Sequence, residues 1–247
     1  MQKKIEKAAF RLPASFTLNS ANLKAAAAFF MFLDHIACGT LRTVLDEQLP
    51  PCSLEQLWFL LRLAGRISFP IFCFFLVEGF FLTGNRRKYF LRLFLFAFLS
   101  EIPFNLSMNG TVFFPYHQNV LFTMALGLLL LGICEKIKRR IPDPFEQSVF
   151  CLTSGFFSGI LASVLYFDYK LPGVFLITVL YLFRDNRVKQ CILGSASFIW
   201  EPSSIFGFLL VTRYNGQRGK QGKYFFYCFY PCHLLLIYLL SLAISSV

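Results

Sequence analysis

Long apolar runs recur along this chain, divided by short basic clusters, and that pattern limits the possible folds more than any other feature. Residues 23–45, 54–82, 89–103, 119–134, 149–167, 171–183 and 224–244 are dominated by Leu, Phe, Ile, Val and Ala. A bilayer core takes roughly 20 apolar residues as a helix, and inside lipid the backbone must satisfy its own hydrogen bonds. The expected fold is therefore all-α, a polytopic bundle of transmembrane helices. Composition agrees: 15% of residues are charged, against about 25% in soluble domains.

The runs imply seven to nine spans. The run 54–82 is longer than one span needs and reads as an interfacial approach followed by a span starting near Ile67, with Pro70 in its first turn, where proline does least harm. Between 190 and 212, the pieces Cys191–Trp200 and Ile205–Val211 flank the turn-like Glu201-Pro202-Ser203-Ser204. Each piece is too short to span. The pair is either a re-entrant helical hairpin or two short spans shielded by protein. Pro231 interrupts the last run. Residues 1–21 read as a cytoplasmic tail or surface helix, and 22–247 as a single transmembrane domain. The first apolar run lies far from the N-terminal basic residues and carries Asp34 and His35, which does not suit a cleaved signal peptide.

A net charge of +11 raises the question of nucleic acid. The positions of the cations exclude that partner. Twenty of the 24 Lys and Arg fall in five segments: residues 3–24, 84–92, 136–140, 184–189 and 213–223. Every second connection is thus basic, as cytoplasmic loops are. The N-terminus is expected in the cytoplasm and the C-terminus outside. The eight cysteines are scattered without paired metal spacing, so no metal is expected. Nor is there a phosphate-binding glycine motif or a zincin-type helix motif.

Charges inside spans are costly and usually functional. Asp34 and His35 lie in the first span, Arg66 and Glu78 in the second, Glu101 at the end of the third and His233 in the last. Asp168 and Glu201 lie in non-cytoplasmic connections or at a re-entrant tip. Adjacent helical residues point about 100° apart, so Asp34 does not orient its own neighbour. It is expected to pair with a cation from another helix, Arg66 being the candidate. That leaves His35 either to act as a proton acceptor or to pack against a backbone carbonyl.

A string of motifs runs in order through residues 23–240: LKAAAAFFMFLDHI, LRLAGRISFPIFCFFLVEGFFLT, YFLRLFLFAFLSEIPFNL, QNVLFTMALGLLLL, DYKLPGVFLI, RYNGQRG and YFFYCFYPCHLLLIYLL. With these the chain resembles the TraX family, known from acetylation of F-pilin, and is distantly similar to the membrane-bound acyltransferases of sugars and cell-surface polymers. The polar residues inside the motifs carry the resemblance. It implies an acetyltransferase of the bacterial cytoplasmic (inner) membrane, surrounded by membrane lipid and using acetyl-CoA as donor. In the distant group an arginine and a histidine lie eleven positions apart on the first span; Lys24 and His35 have that spacing here. The resemblance implies His35 as general base, with Asp34 or Glu78 setting the local field and Arg66 stabilising an oxyanion. It places Lys24, Arg213, Tyr214, Asn215 and Arg218 on the donor. Glu101, Gln118, Asn119, Asp168, Tyr169, Tyr230 and His233 fall to the acceptor. RYNGQRG reads equally as a plain basic turn. The acceptor is open between a pilin amine, a polysaccharide hydroxyl and a lipid headgroup. A multispan transporter of a small polar solute and a non-catalytic pilus or envelope assembly factor stand as alternatives.

Overall fold

The computed structural model describes residues 17–41, 51–222 and 224–245. The tail up to residue 16, and residues 42–45 of the first apolar run, lie outside the described residues. Within them the chain is helical and forms no strand, only two isolated backbone bridges.

The first helix, α1 (Ser20–Ile36), continues into a π-helical segment, Ala37–Leu41. Then follow α2 (Pro51–Gly65), α3 (Ser68–Leu82), α4 (Arg86–Asn109) and α5 (Val120–Arg140). The chain continues with α6 (Pro144–Val164), α7 (Lys170–Leu182), α8 (Arg187–Ser197), α9 (Ser204–Thr212) and α10 (Phe225–Ser245). Five helices start on an Asn or Asp whose side chain accepts a first-turn backbone N–H: Asn19, Asn85, Asn119, Asp143 and Asn186. These caps satisfy donors that would otherwise be orphaned at the membrane surface.

Six stretches are long and apolar enough to cross a membrane, and α7 is a shorter apolar helix beside them. With Phe98, Phe157, Ile192 and Leu239 more than half exposed on the outside of the bundle, this is a multi-pass membrane protein whose apolar rim meets lipid. The helix α3 is central. Apart from Ser68 and Glu78 it is apolar all round, and eleven of its fifteen residues are buried between α1, α5, α7 and α9. A helix hydrophobic all round belongs in such a place.

Two elements run past their expected ends. The third span was expected to stop at Pro103, yet α4 passes through it to Asn109. Neighbouring helices and side chains compensate the lost bond in a membrane bundle. The helix α5 continues beyond Cys134 to Arg140, where Lys138, Arg139 and Arg140 suit the negative end of the helix dipole. The last helix is likewise continuous through Pro231. Within 190–212, α8 and α9 pack on each other, with α8 also against α7 and α9 against α3. At 1.5 Å per residue they measure roughly 16 and 13 Å, well under a bilayer core.

The described residues of the basic segments gather at one end of the bundle. The Ser20 hydroxyl donates to the Arg218 carbonyl, Arg184 pairs with Glu78, and Lys138 stacks on Tyr181 beside them. The turns carrying Asp168 and Glu201 lie towards the opposite end, where Arg66 links them.

Candidate functional site

Two cavities approach each other inside the bundle. The larger, about 500 Å³, opens at the basic end; Lys24, Arg92, Tyr214, Gly216 and Arg218 stand at its polar rim, with Phe75, Leu93, Phe226 and Tyr230 deeper. The smaller, about 140 Å³, is lined by Asp34, His35, Cys38, Arg62, Arg66, His117, Asp168 and Tyr169. Met31, Phe72, Val120 and Met124 line both. Four apolar side chains therefore form the wall between them.

The smaller cavity is built by the close approach of α1 and α2. A Cβ on Gly65 would collide with the Asp34 side chain, so only glycine lets the helices meet here. That contact delivers Arg62, whose Nη1 donates to both Asp34 oxygens at 2.8 Å and to Cys38 Sγ at 2.7 Å. Asp34 was expected to pair with Arg66. Arg66 instead lies one turn on, beyond the end of α2, and turns away. Its Nε sits 3.3 Å from Glu201 and its Nη1 donates to the Tyr169 hydroxyl at 3.3 Å. Tyr169 stacks flat on Phe69. Tyr166, Tyr169 and Lys170 all have positive φ, between 42° and 58°. Each costs about 1–2 kcal/mol for an L-residue outside glycine, and such strain concentrates at functional sites. Asp168 accepts the Tyr169 backbone N–H and has His117 4.0 Å away.

At the back of this cavity His35 Nδ1 lies 2.7 Å from His233 Nε2, and His233 Nδ1 lies 2.8 Å from the Phe229 carbonyl oxygen. The two rings are 19° from parallel, and Tyr230 meets both edge-on. Both histidines are buried. Just past His35, α1 relaxes into its π-helical segment, a distortion frequent at functional sites.

At the basic end, the loop 213–219 is stitched to the start of α1. Leu18 N–H donates to Arg213, Ser20 N–H to Gln217 and Ala21 N–H to Arg218, while Asn215 N–H returns to Leu18. Lys24 leans over the Phe75 ring at 4.9 Å and has no ion-pair partner among the described residues. Nor do Arg92 and Arg218. Glu78, the carboxylate on this cavity, is held by Arg184 Nε at 3.0 Å. The rim thus has an excess of positive charge. Burial, and secondarily the Glu78 charge, push the Tyr214 phenol above its usual range, so it faces the cavity as a neutral hydroxyl.

The model of the family described as TraX protein matches residues 19–241. The chain belongs to the TraX family. A relative from Dichelobacter nodosus, described as "Probable fimbrial assembly protein FimC, serogroup H1", is 30% identical over 209 residues, which cover 72% of this chain and 81% of that protein. No solved structure matches.

In this TraX-family chain the expected site residues divide into groups. Asp34, His35, Arg66, Asp168 and Tyr169 meet around the smaller cavity. His233 and Tyr230 stand behind His35. Glu78 lies at the other end of α3 with Lys24, Tyr214 and Arg218. Arg213 and Asn215 lie in the stitched loop. Glu101 accepts from Asn119 Nδ2 at 2.5 Å and from Asn105, while Asn119 caps α5 and donates to Ala97. Gln118 pairs its backbone with Tyr166 and Asp168. Those three shape the loops around the cavity and do not line it. Cys228 and Cys232 are exposed while His233 is buried. Sequence reasoning missed Arg62, Arg92 and His117. Arg62 sits one turn before Arg66, and that spacing was its only signal. Arg92 was counted for topology, and His117 lies in an aromatic-rich loop with no periodic context.

Proposed function

We propose that this TraX-family protein is an acetyl-CoA-dependent acetyltransferase of the bacterial inner membrane. Its basic end faces the cytoplasm by the positive-inside rule. The supporting observation is a pair of cavities sharing the wall of Met31, Phe72, Val120 and Met124, one rimmed by cations without an ion-pair partner among the described residues and the other lined by His35 and further polar groups. Lys24 and His35 share a face of α1, eleven residues and about 16 Å apart along the axis. That separation suits a donor whose phosphates are held by Lys24, Arg92 and Arg218 while its slender thioester arm reaches inward. Half-buried Lys24 and Arg92, with Arg218 exposed beside them and none of the three in an ion pair among the described residues, form a rim suited to an anion.

In this reading the acceptor, H–X–R, enters the smaller cavity. His35 takes the proton from X as X attacks the thioester carbonyl. Arg66, held by Glu201 and Tyr169, is placed to stabilise the oxyanion, a contribution worth about 3 kcal/mol where it has been measured. Collapse breaks the C–S bond, and the proton on His35 passes to the departing thiolate. The products are acetyl–X–R and free CoA. A pilin amine is the acceptor class that the family's link with pilin acetylation favours.

The test is acetyl-CoA turnover by the purified protein, followed as free thiol, with pilin peptide, sugar and water as acceptors. Turnover that falls at least 100-fold in His35→Ala supports the reading; equal rates in the two proteins contradict it.

The relative's printed name favours a second reading, a non-catalytic part in building fimbriae. Under it, a variant with His35, Arg66 and Lys24 replaced together would still support pilus assembly and would show no lost chemistry.

A further inference from the structure

His35 cannot take a proton at a useful position unless its ring carries hydrogen on the right nitrogen. From the geometry we infer that His233 is the positioning residue that fixes this, holding His35 with hydrogen on Nδ1 and a bare lone pair on Nε2. The inference rests on the acetyltransferase reading for its consequence, not for its geometry.

The argument starts at a backbone carbonyl. The Phe229 oxygen can only accept, and His233 Nδ1 lies 2.8 Å from it. His233 therefore carries its hydrogen on Nδ1. A second hydrogen on Nε2 would make it an imidazolium among Phe32, Phe229 and Tyr230, with no carboxylate bonded to it, a costly state. So His233 Nε2 is a lone pair. His35 Nδ1, 2.7 Å from that lone pair, must be the donor. One hydrogen remains for a neutral ring and it is on Nδ1, which leaves Nε2 of His35 as the base.

The role played by a carboxylate in a Ser-His-Asp arrangement thus falls here to a second, neutral imidazole backed by a carbonyl. Asp34 is not available for it. It points to another side of α1 and is fully engaged by Arg62. When His35 takes up a proton, its Nδ1–H bond to His233 becomes charge-assisted and stronger. His233 can answer because Phe229 stacks on its ring at 4.7 Å and holds its rotamer.

The test is nitrogen NMR on the full-length protein, ¹⁵N-labelled at its three histidines and assigned by His35→Gln and His117→Gln. The wild-type His35 signal is expected to show hydrogen on Nδ1 and none on Nε2. In His233→Leu the Nδ1 preference should vanish. In His233→Gln, whose side-chain oxygen still accepts, it should persist. Acetyl-CoA hydrolysis, with water as acceptor, should fall about 100-fold in the Leu variant and recover most of its rate in the Gln variant. The inference is overturned if wild-type His35 carries its hydrogen on Nε2. It is also overturned if His233→Leu leaves tautomer and rate unchanged, or if His233→Gln behaves as the Leu variant does. Wild-type protein that turns over no acetyl-CoA would sink the acetyltransferase reading instead, and the NMR signal would still decide the tautomer.

Discussion

At the scale of single residues, Asp34 forms an ion pair with Arg62, and His35 bonds to His233. Removing one member of a buried ion pair strands the other; costs run to about 3–5 kcal/mol in a dry core and under 1 kcal/mol at a surface. This pair lines a small cavity, so Asp34→Ala should cost about 2 kcal/mol, read as a lower unfolding temperature in lipid nanodiscs. Asp34→Ala together with Arg62→Leu should recover part of that loss; a double variant less stable than the single one would contradict the pairing. His35→Ala should also cost about 1–3 kcal/mol, because it leaves a void and strands His233 Nε2, and it should abolish turnover. That Asp34 and His35 lie inside the bundle was legible from their place in an apolar run. The partner of Asp34 was not. Arg62 and Arg66 are four residues apart, but α2 ends at Gly65, and only the break after it turns Arg66 towards Glu201. No local pattern encodes which of two cations the chain turns away.

Among the elements, the α1–α2 contact and the α8–α9 hairpin decide the site. Gly65→Ala should force α2 off Asp34. Overpacking costs about 1–3 kcal/mol, and the lost Arg62 bond should show as reduced turnover with CoA binding unchanged. An Ala variant with wild-type turnover would mean that the helices have room to spare. At the hairpin tip, Glu201→Gln should weaken the hold on Arg66 and lower the rate without moving the affinity for CoA. Helix positions followed closely from the apolar runs. The extension of α4 through Pro103 did not, because proline ends helices in water but survives in a bundle whose neighbours compensate. Which helices touch was beyond the sequence as well. Glu201 and Arg66 are 135 positions apart, and only packing of α9 on α3 unites them.

For the molecule as a whole, the described residues of the basic segments collect at one end, and the cavity lined by Asp34, His35 and Asp168 lies towards the other. In the proposed acetyltransferase the first would be the cytoplasmic donor side and the second the acceptor side. The wall of Met31, Phe72, Val120 and Met124 between the cavities should then limit the acyl group. Phe72→Ala is expected to raise the rate ratio of propionyl-CoA to acetyl-CoA, and an unchanged ratio would place the limit elsewhere. The segregation of charge was readable as alternating loops, whereas the two cavities were not, since each draws its lining from several distant helices. The most direct test of the central claim is calorimetry of CoA with the purified protein, beside Lys24→Ala and His35→Ala. The expected result is binding that Lys24→Ala weakens about tenfold, the loss of one charge-assisted contact, and that His35→Ala leaves intact. No binding at millimolar CoA would contradict it.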